Sequence, residues 1–359
     1  MTTYILRRII LSIPVLFGIL FATFTLGRLI PGDPCRAMLG EKATDTVCDE
    51  FNTRHGLDKP ILVQFGYYVN EVAHGDFGRS FRFSKPVTEL LIERLPITVE
   101  LSFSALLVSL LIGIPLGVIS AVKHNTWVDV LTMLWANTGV SMPVFWLGLM
   151  LAYVFALALK DTPFQLPPSG RLSPGLIPIP FYEVWGLELA EGTTTFTILN
   201  FLSRMNILNG ILSNNWALVK DALTHLVLPA MALGTIPMAL IARMARSSML
   251  EVLGQDYIRT ARAKGLRQRV VVMKHGFRNA LLPLVTVIGL SLGSLLGGAV
   301  LTETVFNLSG VGRILYDAIT ARDYGIVQAF TVVIAVFFVI LNLLVDVSYA
   351  YLDPRIRLT

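Results

Sequence analysis

Six apolar blocks, each long enough to cross a membrane as a helix, constrain this chain more than any other feature. They cover residues 9–30, 97–122, 130–159, 226–250, 281–301 and 326–351. About 20 helical residues span the roughly 30 Å of hydrocarbon in a bilayer. In lipid only helices and closed barrels satisfy the backbone, and runs that are continuous rather than alternating exclude a barrel. The expected fold is therefore all-α and polytopic, with six transmembrane helices. Composition agrees: 15% of the 359 residues are charged, where a soluble chain carries about 25%, and mean hydropathy is +0.67.

Arg7 and Arg8 before the first block resemble the start of a secretory signal. The apolar stretch runs well past a signal core, however, and no small-x-small cleavage site precedes Arg28, so a retained helix is expected. Orientation follows from Lys and Arg in the short loops. Between the fourth and fifth blocks stand Arg246, Arg259, Arg262, Lys264, Arg267, Arg269, Lys274 and Arg278, against Glu251 and Asp256 alone. That loop is expected in the cytoplasm. Six alternating crossings place Arg7 and Arg8, the loop with Lys123, and Arg355 and Arg357 of the tail there too. The long connections 31–96 and 161–224 fall outside. The net charge of +5 then follows from topology and does not call for nucleic acid.

This divides the chain into an N-terminal helix with its external loop (1–96), a five-helix transmembrane domain (97–351) and a short cytoplasmic tail (352–359). The domain contains the external insertion 161–224 and a basic cytoplasmic loop over 246–280. Both cysteines, Cys35 and Cys48, lie in the first external loop, where an oxidising compartment permits a disulfide; two unpaired thiols are the alternative. No catalytic signature stands out. The chain has no G-x-x-x-x-G-K-[ST], so no P-loop of its own. His55, His74, His124, His225 and His275 are scattered, with no metal-ligand spacing. No catalytic residue, metal site or cofactor is therefore expected in this chain. A transporter, a channel or a scaffold remains.

The basic loop is the most informative segment. Asp256 is placed to cap a helix, Tyr257, Ile258 and Ala261 share a face at i, i+3 and i+4 spacing, and Lys264 suits the last turn. Gly265 is placed for a left-handed stop before Leu266. The spacing predicts about two turns of helix, small and apolar on one side and cationic on the other through Arg259, Arg262 and Lys264. Two readings fit: a surface helix drawn to anionic headgroups, or a docking element for a cytoplasmic protein.

The stretch 246–266 (RSSMLEVLGQDYIRTARAKGL), followed by 275–283 (HGFRNALLP), resembles the cytoplasmic loop of dipeptide/oligopeptide ABC permeases, B-type subunit. Further matches are PGDP at 31–34, HGLDKP at 55–60, GDFGRS at 75–80, TETVF at 302–306, NLLVD at 342–346 and YLDPRIR at 351–357. They follow the family order across nearly the whole chain. The resemblance implies a type I importer permease fold and a pore-forming subunit for peptides or related solutes. It implies partners: a homologous C-type permease, two P-loop ATPase subunits that bind ATP and Mg, and an extracytoplasmic substrate-binding protein. It makes 257–266 (Tyr257, Ile258, Arg259, Thr260, Ala261, Arg262, Ala263, Lys264, Gly265, Leu266) the ATPase-coupling helix. There Arg259-Thr260-Ala261 occupies the family's Glu-Ala-Ala position, and the glutamate is missing. Small residues at Ala261, Ala263 and Gly265 then suit close approach to another protein.

Inside the membrane, Gly289, Gly293 and Gly297 recur every fourth residue, a stripe that permits close helix contact within or between subunits; glycines without a packing role are the alternative. Gly113 and Gly117 around Pro115 predict a kink. Charges at membrane depth are few: Arg28, Arg243, Glu303 and Asp346, each near a block end where snorkelling is the default. Ser141, Phe145 and Trp146 around Pro143, with Arg243 and Asp346, are candidates for the translocation path or gate. The insertion 161–224 carries aromatic residues through Trp185 and Trp216, which suits a cover over the outer mouth. An ion-coupled secondary transporter is the runner-up, but it predicts mid-membrane acids and an inverted repeat that the sequence does not display.

Overall fold

The computed structural model describes residues 2–29, 43–54, 58–80, 82–297, 299–321 and 323–352. Among these the only β pairing is a single bridge between Arg79 and Pro86. The helices are α1 (Thr2–Leu29), α2 (Asp45–Arg54), α3 (Ile61–Ala73), α4 (Val87–Val122), α5 (Trp127–Ser141) and α6 (Val144–Ala152), which runs on into a π turn, Tyr153–Ala158. Then come α7 (Phe181–Val184), α8 (Thr194–Ser203), α9 (Asn206–Leu212), α10 (Trp216–Leu253) and α11 (Asp256–Ala263). The short α12 (Gln268–Val270) continues through a π stretch, Val271–Phe277, into α13 (Arg278–Leu296). The chain closes with α14 (Val300–Val305), α15 (Val311–Thr320) and α16 (Tyr324–Leu352).

Five helical segments are long and apolar enough to span a bilayer: α1, α4, α10, the run Gln268–Leu296, and α16. A sixth span exists if α5 and α6 with its π turn count as one; they meet at 100°. Pro143 explains the break, since it lacks an N–H and disfavours helix at Met142 before it. The fifth span ends at Leu296, five residues short of the expected 301, because Gly297 caps the helix. Glu303 accordingly sits on the separate α14 and not at the end of a span.

The chain forms two compact units. The smaller comprises residues 2–94 and 314–339. Its α1 and α3 meet through aromatic rings: Phe65 lies 5.2 Å from both Phe17 and Phe21, and Phe24 stacks on Tyr68. Within it the Ser80 hydroxyl donates to Asp323 at 2.6 Å.

The larger unit comprises residues 95–313 and 340–359 and is organised around α10, most of whose inner face is buried. Helix α4 runs on through Pro115, and its glycines serve its packing. A Cβ at Gly113 would stand 2.8 Å from the Met238 carbonyl, and one at Gly117 2.5 Å from the Ala242 carbonyl. Gly234 on α10 answers them, its Cβ position 2.7 Å from the Ala105 carbonyl. Two backbones thus meet with no side chain between them, the small-residue packing that membrane helices favour. At Gly289 of α13 the space is filled differently, by the Val345 side chain of α16 within one subunit, and Gly293 is buried. Gly297 does not extend that stripe; it is exposed at the cap.

The insertion folds onto one end of this unit. Arg171 donates to Glu100 of α4 at 3.0 Å and to the Arg204 carbonyl at 2.7 Å, while the Ile207 N–H donates to the same Glu100. Asn209 accepts from the Phe181 N–H and donates to the Ile179 carbonyl, so Phe181 and Tyr182 are buried. Nearby, Glu303 is fully buried, accepting from Thr98 at 2.7 Å and from the Arg313 N–H at 2.9 Å. Burial pushes its carboxyl above the usual carboxylate range, and those hydrogen bonds pull the other way.

Candidate functional site

The chain between α10 and α13 forms a compact platform. Helix α11 spans eight residues, slightly over two turns. Gln255 occupies the N-cap position without a side-chain bond, so Asp256 is the first helical residue and not the cap; it pairs with exposed Arg259 at 3.1 Å. A free helix of this length is unstable in water. Packing holds it: Ile258, 0% exposed, and Ala261, 6%, rest on Val271 and Leu253. Tyr257, expected on that face, points outward instead, 44% exposed.

The helix ends in a Schellman motif. The Gly265 N–H donates to the Arg262 carbonyl at 2.9 Å and the Leu266 N–H to the Ala261 carbonyl at 3.4 Å. Gly265 has φ +73°, which a side chain would strain. Ala261 is covered by the chain's own Val271. The surface open to another protein is therefore Tyr257, Arg259, Thr260, Arg262, Ala263, Lys264, Gly265 and Leu266. It is cationic, as its spacing predicted, but its small residues are fewer than expected.

Below α11 a second cluster joins α10 to α4 and the π stretch: Met249, Ala121, Val272 and Ala280, with Leu253 and Phe277 against it. Above that cluster stands an ion pair that the sequence reading missed. Arg246 of α10 donates from Nε and Nη2 to the two carboxylate oxygens of Asp129 on α5, at 2.8 and 2.7 Å. Asp129 also accepts from the Ser120 hydroxyl and from the Asn125 N–H at 3.0 Å. Asp129 sits one residue before the apolar block 130–159, between Val128 and Val130; a lone acid among those apolar residues was the available signal.

Of the candidates for a translocation path, Ser141 lies exposed at the end of α5, and Phe145 and Trp146 are exposed beyond the bend on α6. Arg243, exposed on α10, donates to Asn137 of α5. Asn137, one turn before Ser141, was not singled out from sequence. Asp346 is half-buried on α16. Cys48 is buried in α2, while Cys35, the Arg28 side chain and the tail from 353 lie outside the described residues. Among the described residues no group of His, Cys, Asp and Glu is arranged to hold a metal.

The chain is thus a bundle of apolar spans with a cationic helix on a short inter-span platform. Residues 113–358 match the model of the binding-protein-dependent transport system inner membrane component, and residues 1–102 match that of its N-terminal region. The chain belongs to this family of ABC importer permeases and is an integral inner-membrane protein. It is 44% identical to the dipeptide transport system permease protein of Alkalihalophilus pseudofirmus, over 99% of this chain and 100% of that one. It is 43% identical to the di/tripeptide transport system permease protein of Pseudomonas aeruginosa, covering 99% of each. With the oligopeptide transport system permease protein of Bacillus subtilis it shares 36%, over 99% and 100%.

Proposed function

We propose that this permease carries di- and oligopeptides inward, delivered by an extracytoplasmic binding protein, and that α11 docks one of two ATPase subunits. The similar permeases are named for dipeptides, di- and tripeptides and oligopeptides, which supports the cargo class. The observation that carries the docking role is the division of α11. Its apolar side is consumed by Val271 and Leu253, leaving a cationic side whose one ion pair among the described residues is the exposed Arg259–Asp256 contact. A partner offering carboxylates fits that side.

In this reading the pore is completed by a homologous C-type permease, because a single chain supplies one docking helix and two ATPase domains must close together. ATP and Mg belong to the ATPases. The loop bearing α11, both termini and the Lys123 turn are cytoplasmic, and the connections 31–96 and 161–224 are external. Ser141, Phe145, Trp146, Asn137, Arg243 and Asp346 border the path or its gate, and Cys35 pairs with Cys48.

Reversing the exposed cations together (Arg259→Glu, Arg262→Glu, Lys264→Glu) tests the docking role, since none of them supports the fold beyond one exposed ion pair of little stability. The variant should insert and retain the second permease but lose the ATPases on purification. ATPases that remain bound, with hydrolysis still stimulated by loaded binding protein, would return α11 to a headgroup-facing role.

A further inference from the structure

The Asp129–Arg246 pair lies outside everything that the coupling helix needs for its own fold, yet it joins that helix to a broken span. Three layers connect them. Ile258 and Ala261 seat α11 on Leu253 and Val271. Leu253 also packs against the cluster of Met249, Val272, Ala280 and Ala121, where a Cβ at Gly276 of the π stretch would stand 3.3 Å from the Met249 methyl. Arg246 stands one helical turn before Met249 on the same helix, and Ser120 adjoins Ala121 on α4.

The carboxylate of Asp129 is engaged by Arg246 Nε and Nη2, by the Ser120 hydroxyl and by the Asn125 N–H. Two parallel bonds from a planar guanidinium fix orientation as well as distance. Apolar contacts between helices slide; this one does not. Asp129 is the third residue of α5, whose other end meets α6 at the 100° bend around Pro143. The bend is the natural hinge, because Pro143 has no N–H to bond across it.

We infer that Asp129 and Arg246 are positioning residues for transport: a rigid clamp that passes movement of α11 to α5, and so to the hinge at Pro143. The inference rests on α11 being the ATPase dock. The pair stays closed through the cycle, while the angle at the hinge changes. A charge pair alone would serve a purely structural role; the fork is what transmission requires.

The test uses the complete complex of both permeases and ATPases in nanodiscs, with binding protein loaded from a mixture of dipeptides. Asp129→Asn removes the charge while keeping the shape. Arg246→Lys keeps the charge and removes the fork. Both variants should retain the ATPases and hydrolyse ATP at the basal rate, while stimulation by loaded binding protein falls roughly tenfold, within the usual range of coupling between sites. Arg246→Lys should lose stimulation although the ion pair persists. Unchanged stimulation in either variant overturns the clamp. So does failure of both to assemble, which would make the pair a folding element only. Loss of ATPases from assembled clamp variants also counts against it. The dock itself is judged separately, by whether reversed α11 cations release the ATPases.

Discussion

Replacing Gly117 by alanine tests the packing of α4 on α10 most directly. The added Cβ would stand 2.5 Å from the Ala242 carbonyl oxygen and 2.6 Å from the Ala245 methyl. Ordinary contact begins at 3.4 Å, so the helices must separate locally by about 0.9 Å. Neither neighbour is the mobile end of a long side chain; one is backbone and the other is as short as a side chain gets. Overpacking a well-filled core costs about 1–3 kcal/mol, and the rigidity of both partners argues for the upper half. Helix propensity offsets about 1 kcal/mol of that, since alanine is the better helix former. A net destabilisation of about 1–2 kcal/mol is expected. Gly66 on α3 supplies the control, because nothing lies within 4 Å of its Cβ position. Gly66→Ala should stabilise by up to about 1 kcal/mol. Thermal unfolding of both variants in one detergent should therefore shift in opposite directions. If Gly117→Ala melts at or above the wild-type temperature, the close approach of the two backbones is wrong.

Three further outcomes can be checked. Single cysteines labelled from outside intact cells should react near Asp58 and Ser213 but not at Arg267; external labelling at Arg267 would invert the proposed orientation. Alkylation of unreduced, denatured protein should leave Cys35 and Cys48 unmodified and add two groups only after reduction; modification before reduction would show free thiols. Ala261→Glu buries a carboxylate against Val271 and should unseat α11, seen as faster amide exchange across residues 256–266, with coupled hydrolysis lost while the protein remains inserted. Protected amides there would contradict the seat.

Much of the architecture was legible without coordinates, because a bilayer leaves few options. An apolar run of 20 or more residues must be a helix there. The short α11 was also readable: the apolar spacing at Ile258 and Ala261 and the stop at Gly265 are local features, and the Schellman motif follows from them. Family membership lay in the same loop, whose order of residues is distinctive.

Tertiary structure decided the rest, for a common reason: each feature depends on what lies across a contact. Gly117 reads as a kink beside Pro115, and only the packing shows that the Ala242 carbonyl stands where its side chain would be. Gly297 reads as the third member of a stripe, yet it ends α13. Ala261 reads as a surface for a partner, yet Val271 already covers it. Asp129 and Arg246 lie 117 positions apart, and no local pattern links an acid at the edge of one apolar block to a base near the end of another. Only the packing of α5 on α10 makes them a pair, since a charge drawn out of water must find its opposite wherever the fold has put it.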